Sequence, residues 1–122
     1  MRFTFVGTAL ACVALNCAQA AAGCVIYEHR DLKGASFHLG SAESLQMGGE
    51  ELGSNFRTIH YDTSWNDAVS SFTVTADCTI TLWEHVGDSG GAGHKFVRSG
   101  KIVRYIGSAW NDEVSWVDCS CR

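Results

Sequence analysis

Two six-residue segments carry the oxygen chemistry of this chain. Asn66-Asp67-Ala68-Val69-Ser70-Ser71 and Asn111-Asp112-Glu113-Val114-Ser115-Trp116 each open on an amide–carboxylate pair, and each places a hydroxyl three residues after the aspartate. These are hard oxygen donors, with no imidazole or thiolate among them. Calcium takes six to eight such oxygens at about 2.3–2.6 Å, with backbone carbonyls and waters completing the shell. Zinc and copper prefer nitrogen and sulfur, so the donor set favours calcium or magnesium. Few carboxylates per segment predict dissociation constants of roughly micromolar to sub-millimolar. No Asp-x-Asp-x-Asp-Gly run is present, which excludes an EF-hand loop. Asn, Asp and Ser are also ordinary turn residues, so a purely structural role for both segments is the alternative.

Other candidate chemistry is thinner. Gly87-Asp88-Ser89-Gly90-Gly91 spells the nucleophile loop of trypsin-like peptidases. That chemistry needs a His and an Asp placed upstream, and nothing around His29, His38 or His60 resembles the required His segment. The pentapeptide reads as the Gly turn of a hairpin, and no catalytic residue is assigned. Glu50-Glu51 sits in a Gly-rich stretch and reads as a solvated face. Trp65 and Trp110 each stand just before a hexad and read as core or loop anchors.

The elements that must position the hexads repeat. Val25-Ile26-Tyr27-Glu28-His29 recurs as Thr81-Leu82-Trp83-Glu84-His85, and each block is followed by a Gly-containing turn, a variable stretch and then its hexad. Self-similarity of this kind is sought before single elements are read. His29 and His85 hold equivalent places, which points to a shared structural role. The first half has a longer middle, Gly40 to Asn55, with the composition of a loop. A short helix within Glu43 to Leu52 is an expectation there. Elsewhere the pattern is strand: Ser36–Leu39, Phe72–Thr75, Cys78–Trp83, His94–Val97 and Lys101–Ile106 alternate or are rich in β-branched residues. About eight short strands with Gly-rich turns predict an all-β sandwich.

Composition narrows the class. The chain has 122 residues, 46% of them apolar and 18% charged, with thirteen Gly and no Pro. That excludes a disordered tail, a collagen-like repeat and a long coiled coil. A formal charge of −4 argues against a general nucleic-acid binder. Arg2, the apolar Phe3 to Leu15 and the small residues Ala18 to Ala22 form the three-part pattern of a secretory signal peptide, read as residues 1–22. A buried N-terminal helix and a lipoprotein leader before Cys24 are the alternatives. Outside this stretch no apolar run is long enough for a membrane-spanning helix. The remainder, 23–122, reads as one domain, secreted to an extracellular or periplasmic space. Removing Arg2 leaves eight basic residues against thirteen acidic ones, a charge of −5. Cys24, Cys78, Cys119 and Cys121 stay with it and read as two disulfides with three possible connectivities. A zinc site is the rival, but the Cys119-Ser120-Cys121 spacing lacks a paired knuckle.

The two halves resemble the paired Greek-key motifs of a microbial, calcium-binding βγ-crystallin domain. The resemblance rests on two features, each present twice. One is the aromatic-Glu hairpin ending in Gly, here Tyr27-Glu28 with Gly34 and Trp83-Glu84 with Gly90 or Gly91. The other is the hexad, whose second copy departs by ending in Trp116 instead of Ser. The second hairpin departs as well, with Asp88-Ser89 where the family places an aromatic. Motif one would span about 24–77 and motif two about 78–122. The resemblance implies two calcium ions shared between side-by-side hexads. Their ligands would be Asn66 and Asn111 or the neighbouring Asp67 and Asp112, the carbonyls of Ala68 and Glu113, and the hydroxyls of Ser70 and Ser115. Glu28 and Glu84 would contribute mainly through their carbonyls. It also implies Cys24 bonded to Cys119 or Cys121, with Cys78 taking the other. The ions would clamp the motifs together as a structural device. The alternative is a secreted peptidase inhibitor or small toxin on the same fold, presenting the Gly40 to Asn55 loop.

Overall fold

The computed structural model describes residues 22–86 and 95–122. The leader, the Gly87–Gly91 pentapeptide, the Asp88-Ser89 departure and His94 fall outside the described residues. Nine strands occur among those described: β1 Cys24–His29, β2 Lys33–Leu39, β3 Glu43–Gln46, β4 Thr58–Tyr61, β5 Ser71–Val74, β6 Cys78–Trp83, β7 Lys95–Ser99, β8 Ile102–Val103 and β9 Trp116–Cys121. Two 3₁₀ turns, Arg30–Leu32 and Thr63–Trp65, are the helical pieces among the described residues.

The strands form two sheets. One has the order β2-β1-β5-β8, and the other β4-β3-β9-β6-β7. The order shows that the halves exchange strands. The third strand of the first half, β3, lies beside β9 of the second, and β8 of the second lies beside β5 of the first. Each sheet is therefore built from both halves of the chain.

The alternation seen in the sequence is the reason the sheets face each other. On β6, Cys78, Ile80 and Leu82 are buried, while Thr79, Thr81 and Trp83 are only partly so. Ile26, Leu39, Leu45, Phe72 and Val117 meet them from the other strands, all fully buried. Each such side chain contributes about 1.5–3 kcal/mol relative to exposure.

Two local expectations are corrected. Residues 43–46 form a strand, not a helix. Residues 44–47 are all buried, but Leu45 and Met47 join the apolar core while Ser44 and Gln46 bond polar partners, so a period of two governs this stretch. The strand expected over Lys101–Ile106 is only Ile102–Val103. Beyond it, the Arg104 carbonyl accepts from Asp31 N at 2.8 Å and Ile106 N donates to Ser70 O at 2.9 Å, so the backbone serves a hairpin and a hexad.

β4 was not foreseen. It extends the second sheet by pairing in parallel with β3. Its His60 ring meets Phe37 of β2 edge-on, centroids 5.5 Å apart, and so joins one edge of each sheet.

Cys24 bonds Cys119, and Cys78 bonds Cys121. The first bond staples β1 of one sheet to β9 of the other. The second ties β9 to β6, where the two residues stand opposite each other. This is one of the two pairings the resemblance left open. Three of these sulfurs, from Cys78, Cys119 and Cys121, lie within 4.8 Å of one another. All are spent in disulfides, so no thiolate set remains there for zinc.

Candidate metal centre

Each hexad is held between a hairpin of its own half and a backbone segment of the other. Ser70 N donates to Tyr27 O at 3.0 Å, and Ser115 N donates to Trp83 O at 2.9 Å. The hexad carbonyls accept from residues just beyond β8 and β3: Ile106 N donates to Ser70 O at 2.9 Å, and Met47 N donates to Ser115 O at 3.1 Å. Val69 and Val114 anchor the loops from below, both fully buried. Trp65 packs edge-on against Phe37 at 6.3 Å, and Trp110 against Phe96 at 5.8 Å. Both tryptophans are thus loop anchors, in matching places.

The two loops meet through their polar ends. Ser70 Oγ donates to Asn111 Oδ1 at 2.7 Å, and Ser115 Oγ donates to Asn66 Oδ1 at 3.1 Å. Asp67 N adds a bond to Val114 O across the same junction, at 3.1 Å. Each amide turns its nitrogen to its own aspartate: Asn66 Nδ2 lies 3.4 Å from Asp67 Oδ2, and Asn111 Nδ2 lies 3.4 Å from Asp112 Oδ1. That leaves each carbonyl oxygen facing the opposite serine. Two oxygen pairs result, and each pair draws one member from each half.

These distances suit a hard cation. At a metal–oxygen length of about 2.45 Å, oxygens 2.7–3.1 Å apart subtend about 65–80°. Adjacent ligands in seven-coordinate calcium stand at such angles. Asp67 and Asp112 are exposed beside the pairs and supply negative charge. Asp67 takes the left-handed conformation, φ 59°, which asparagine and aspartate tolerate better than most residues. Ala68 is half-buried and Glu113 exposed within the same loops.

The hairpin glutamates turn their side chains to their own histidines. Glu28 Oε1 lies 3.5 Å from His29 Nε2, and Glu84 Oε1 lies 3.6 Å from His85 Nε2. Glu28 Oε1 also accepts from Ala35 N at 3.4 Å. Gly34, φ 81°, closes that hairpin: a Cβ there would stand 2.5 Å from His29 Cδ2.

The last hexad position differs between the halves. Ser71 Oγ donates to His29 O at 2.6 Å and accepts from Leu32 N at 3.0 Å, tying hairpin to loop. Trp116 is buried and donates its indole N–H to Asp118 instead, at 2.7 Å.

Solved structures share this arrangement of strands and loops. A βγ-crystallin domain from Clostridium beijerinckii superposes with a TM-score of 0.58 at 17% identity, covering 80% of this chain and 97% of that one. One from Flavobacterium johnsoniae gives 0.58 at 16%, covering 81% and 94%. The fold is that of a microbial βγ-crystallin domain. The N-terminal domain of Protein S adds a third likeness, 0.57 at 15%, covering 82% and 97%. No protein-family model and no curated protein sequence matches the chain.

The sequence reading found the hexads but missed a buried polar cluster beside them. Asp118, Ser44 and Arg57 gather on the outer face of the second sheet. A lone aspartate in the apolar run Trp116-Val117-Asp118-Cys119 was the available signal.

Proposed function

We propose that this βγ-crystallin fold is a secreted calcium-binding domain, with two ions clamped between its paired Asn-Asp-x-x-Ser loops to stabilise the fold. The reciprocal Ser–Asn pairing carries the reading. It sets four hard oxygens in two pairs, and neither pair exists unless both halves are folded. Asn66 with Ser115, and Asn111 with Ser70, would hold the ions. Asp67 and Asp112 would add charge, and the carbonyls of Ala68, Glu113, Glu28 and Glu84 would complete the protein's share. On binding, each serine would turn its proton away and offer a lone pair. Two disulfides support an oxidising compartment, and with it the leader over residues 1–22. No described helix is long and apolar enough to cross a membrane.

Calorimetric titration of calcium into chelator-treated protein, with parallel thermal melts, tests the reading. Two binding events and a raised melting temperature are expected, each event worth about 2.7 kcal/mol at a hundredfold excess over its dissociation constant. Asp67→Ala and Asp112→Ala should each weaken one event. No heat and no shift would remove calcium from the function.

A second reading, a peptidase inhibitor or small toxin, is favoured by the loop after β3. Buried Gln46 braces it, with Nε2 donating to Gly48 O at 2.8 Å and Glu50 O at 2.6 Å, and Oε1 accepting from Leu52 N at 2.9 Å. Phe56 stands 90% exposed at its end, one residue beyond the stretch marked in the sequence. Inhibition of a peptidase panel that is lost in Phe56→Ala would support this reading, and no inhibition would discard it.

A further inference from the structure

The two cation sites are not braced in the same way. In the first half, the Ser71 hydroxyl ties hexad to hairpin. In the second, Trp116 occupies that position, and a hydroxyl tie is lost. The structure replaces it with a carboxylate. Asp118, only 8% exposed, accepts from Trp116 Nε1 at 2.7 Å and from Trp83 Nε1 at 2.9 Å. Ser44 Oγ also donates to it, and Arg57 Nε stands 3.8 Å away. Arg57 is itself fixed: its Nε donates to Ser44 Oγ at 2.7 Å, and a guanidinium NH₂ donates to Cys119 O at 2.9 Å.

The two tryptophans are the immediate neighbours of two site residues. Trp116 follows Ser115, and Trp83 precedes Glu84. They stand opposite each other on β9 and β6, and the Trp83 carbonyl takes the Ser115 amide at 2.9 Å. One carboxylate therefore fixes both walls of the Asn66–Ser115 pair. The register places Thr73 where Asp118 would stand in the first half, so the Asn111–Ser70 pair has no such carboxylate. A buried carboxylate without partners would be costly. Here three donors and a guanidinium satisfy it.

We propose that Asp118 is a positioning residue for one cation site, the Asn66–Ser115 site, and has no part in the other. The inference rests on the calcium reading above. It goes beyond it by making the two sites separable through a residue that contacts neither ion.

The test compares Asp118→Asn with the unaltered chain, by calcium titration and by amide hydrogen exchange. Asn keeps the shape but offers one acceptor oxygen in place of two. Ser115→Ala first identifies which heat belongs to the Asn66–Ser115 site. In Asp118→Asn that event should weaken at least tenfold, while the other stays within twofold. Trp83→Phe keeps an aromatic side chain but removes the indole N–H that Asp118 accepts, and should act on the same event. It serves if Asp118→Asn does not fold. Both events unchanged, or both weakened alike, would overturn the proposal. If the unaltered chain takes up no calcium, the calcium reading fails separately and exchange alone decides. Exchange at the Ser115 amide should then rise at least tenfold in either variant, with the Ser70 amide unchanged. Equal behaviour of the two amides would overturn the positioning role.

Discussion

Ser70 and Ser115 each spend one hydroxyl on the opposite half of the chain. A neutral hydrogen bond of this kind contributes about 0.5–1.5 kcal/mol net. Ser70→Ala should lower stability by about that amount without calcium, and by more with it, because a ligand oxygen leaves as well. Ser115→Ala should match it at the other site. Urea titrations with and without calcium read both quantities, and a loss unaffected by calcium would mark the hydroxyls as structural only. Glu43 offers a second residue-scale test. His60 Nε2, 3.0 Å from Glu43 Oε1, holds that carboxyl below its ordinary value, with help from the Gly40 backbone. A lowered carboxyl stabilises the fold above the usual carboxylate range and loses that contribution as pH falls through its folded value. Glu43→Gln should therefore cost stability at neutral pH, and the difference should vanish on acidification. A difference that persists at acid pH would assign the effect to packing. The hexads were legible because donor chemistry and repetition coincide in them. Asp118 was not, because an aspartate in a strand normally signals solvent. Only the tertiary fold brings two indoles from different strands onto it.

Among the elements, β3 and the loop after it depart furthest from the sequence reading. Its glycines and glutamates mark a loop, and the neighbouring Leu45 and Met47 could have served a helix as well as a strand. The buried faces of the second sheet decide for a strand. β4 could not be read at all, since a four-residue parallel pairing leaves no local mark. β6 is legible to the residue and β5 to within one residue at each end, because a half-buried strand writes its two faces into the sequence. Gln46 makes the loop testable. It is fully buried, and its amide goes to three backbone groups of the loop. Gln46→Ala would leave those groups unpaired, at about 1–3 kcal/mol for each that water cannot reach. Faster proteolytic cutting between Gly48 and Phe56, with the rest of the chain intact, is the expected result. An unchanged cutting rate would show the loop to be ordered by its ends alone.

Across the whole molecule, the disulfides divide the work of holding the sandwich. The Cys24–Cys119 bond spans 95 residues and the Cys78–Cys121 bond spans 43. The loop-entropy model gives at most about 4.7 and 4.0 kcal/mol. Paired Cys→Ser changes should lower the melting temperature more for the first bond, which also joins the two sheets. The reverse order would place the cohesion within the second sheet. Repetition and strand pattern are enough to foresee an all-β sandwich. The choice between Cys119 and Cys121 was not, because both stand on β9 and only the sheet register separates them.

The exchange of third strands also bears on time. As the chain emerges residue by residue from the ribosome, β1 to β5 appear early, and β3 finds only the short parallel β4 among them. Its antiparallel neighbour β9 is formed by residues 116–121, some 70 residues later. The closing staple of Cys24 waits for the same strand. The first sheet waits for residues 102–103 and the second for residues 116–121, so neither can close before the second half of the domain has been made.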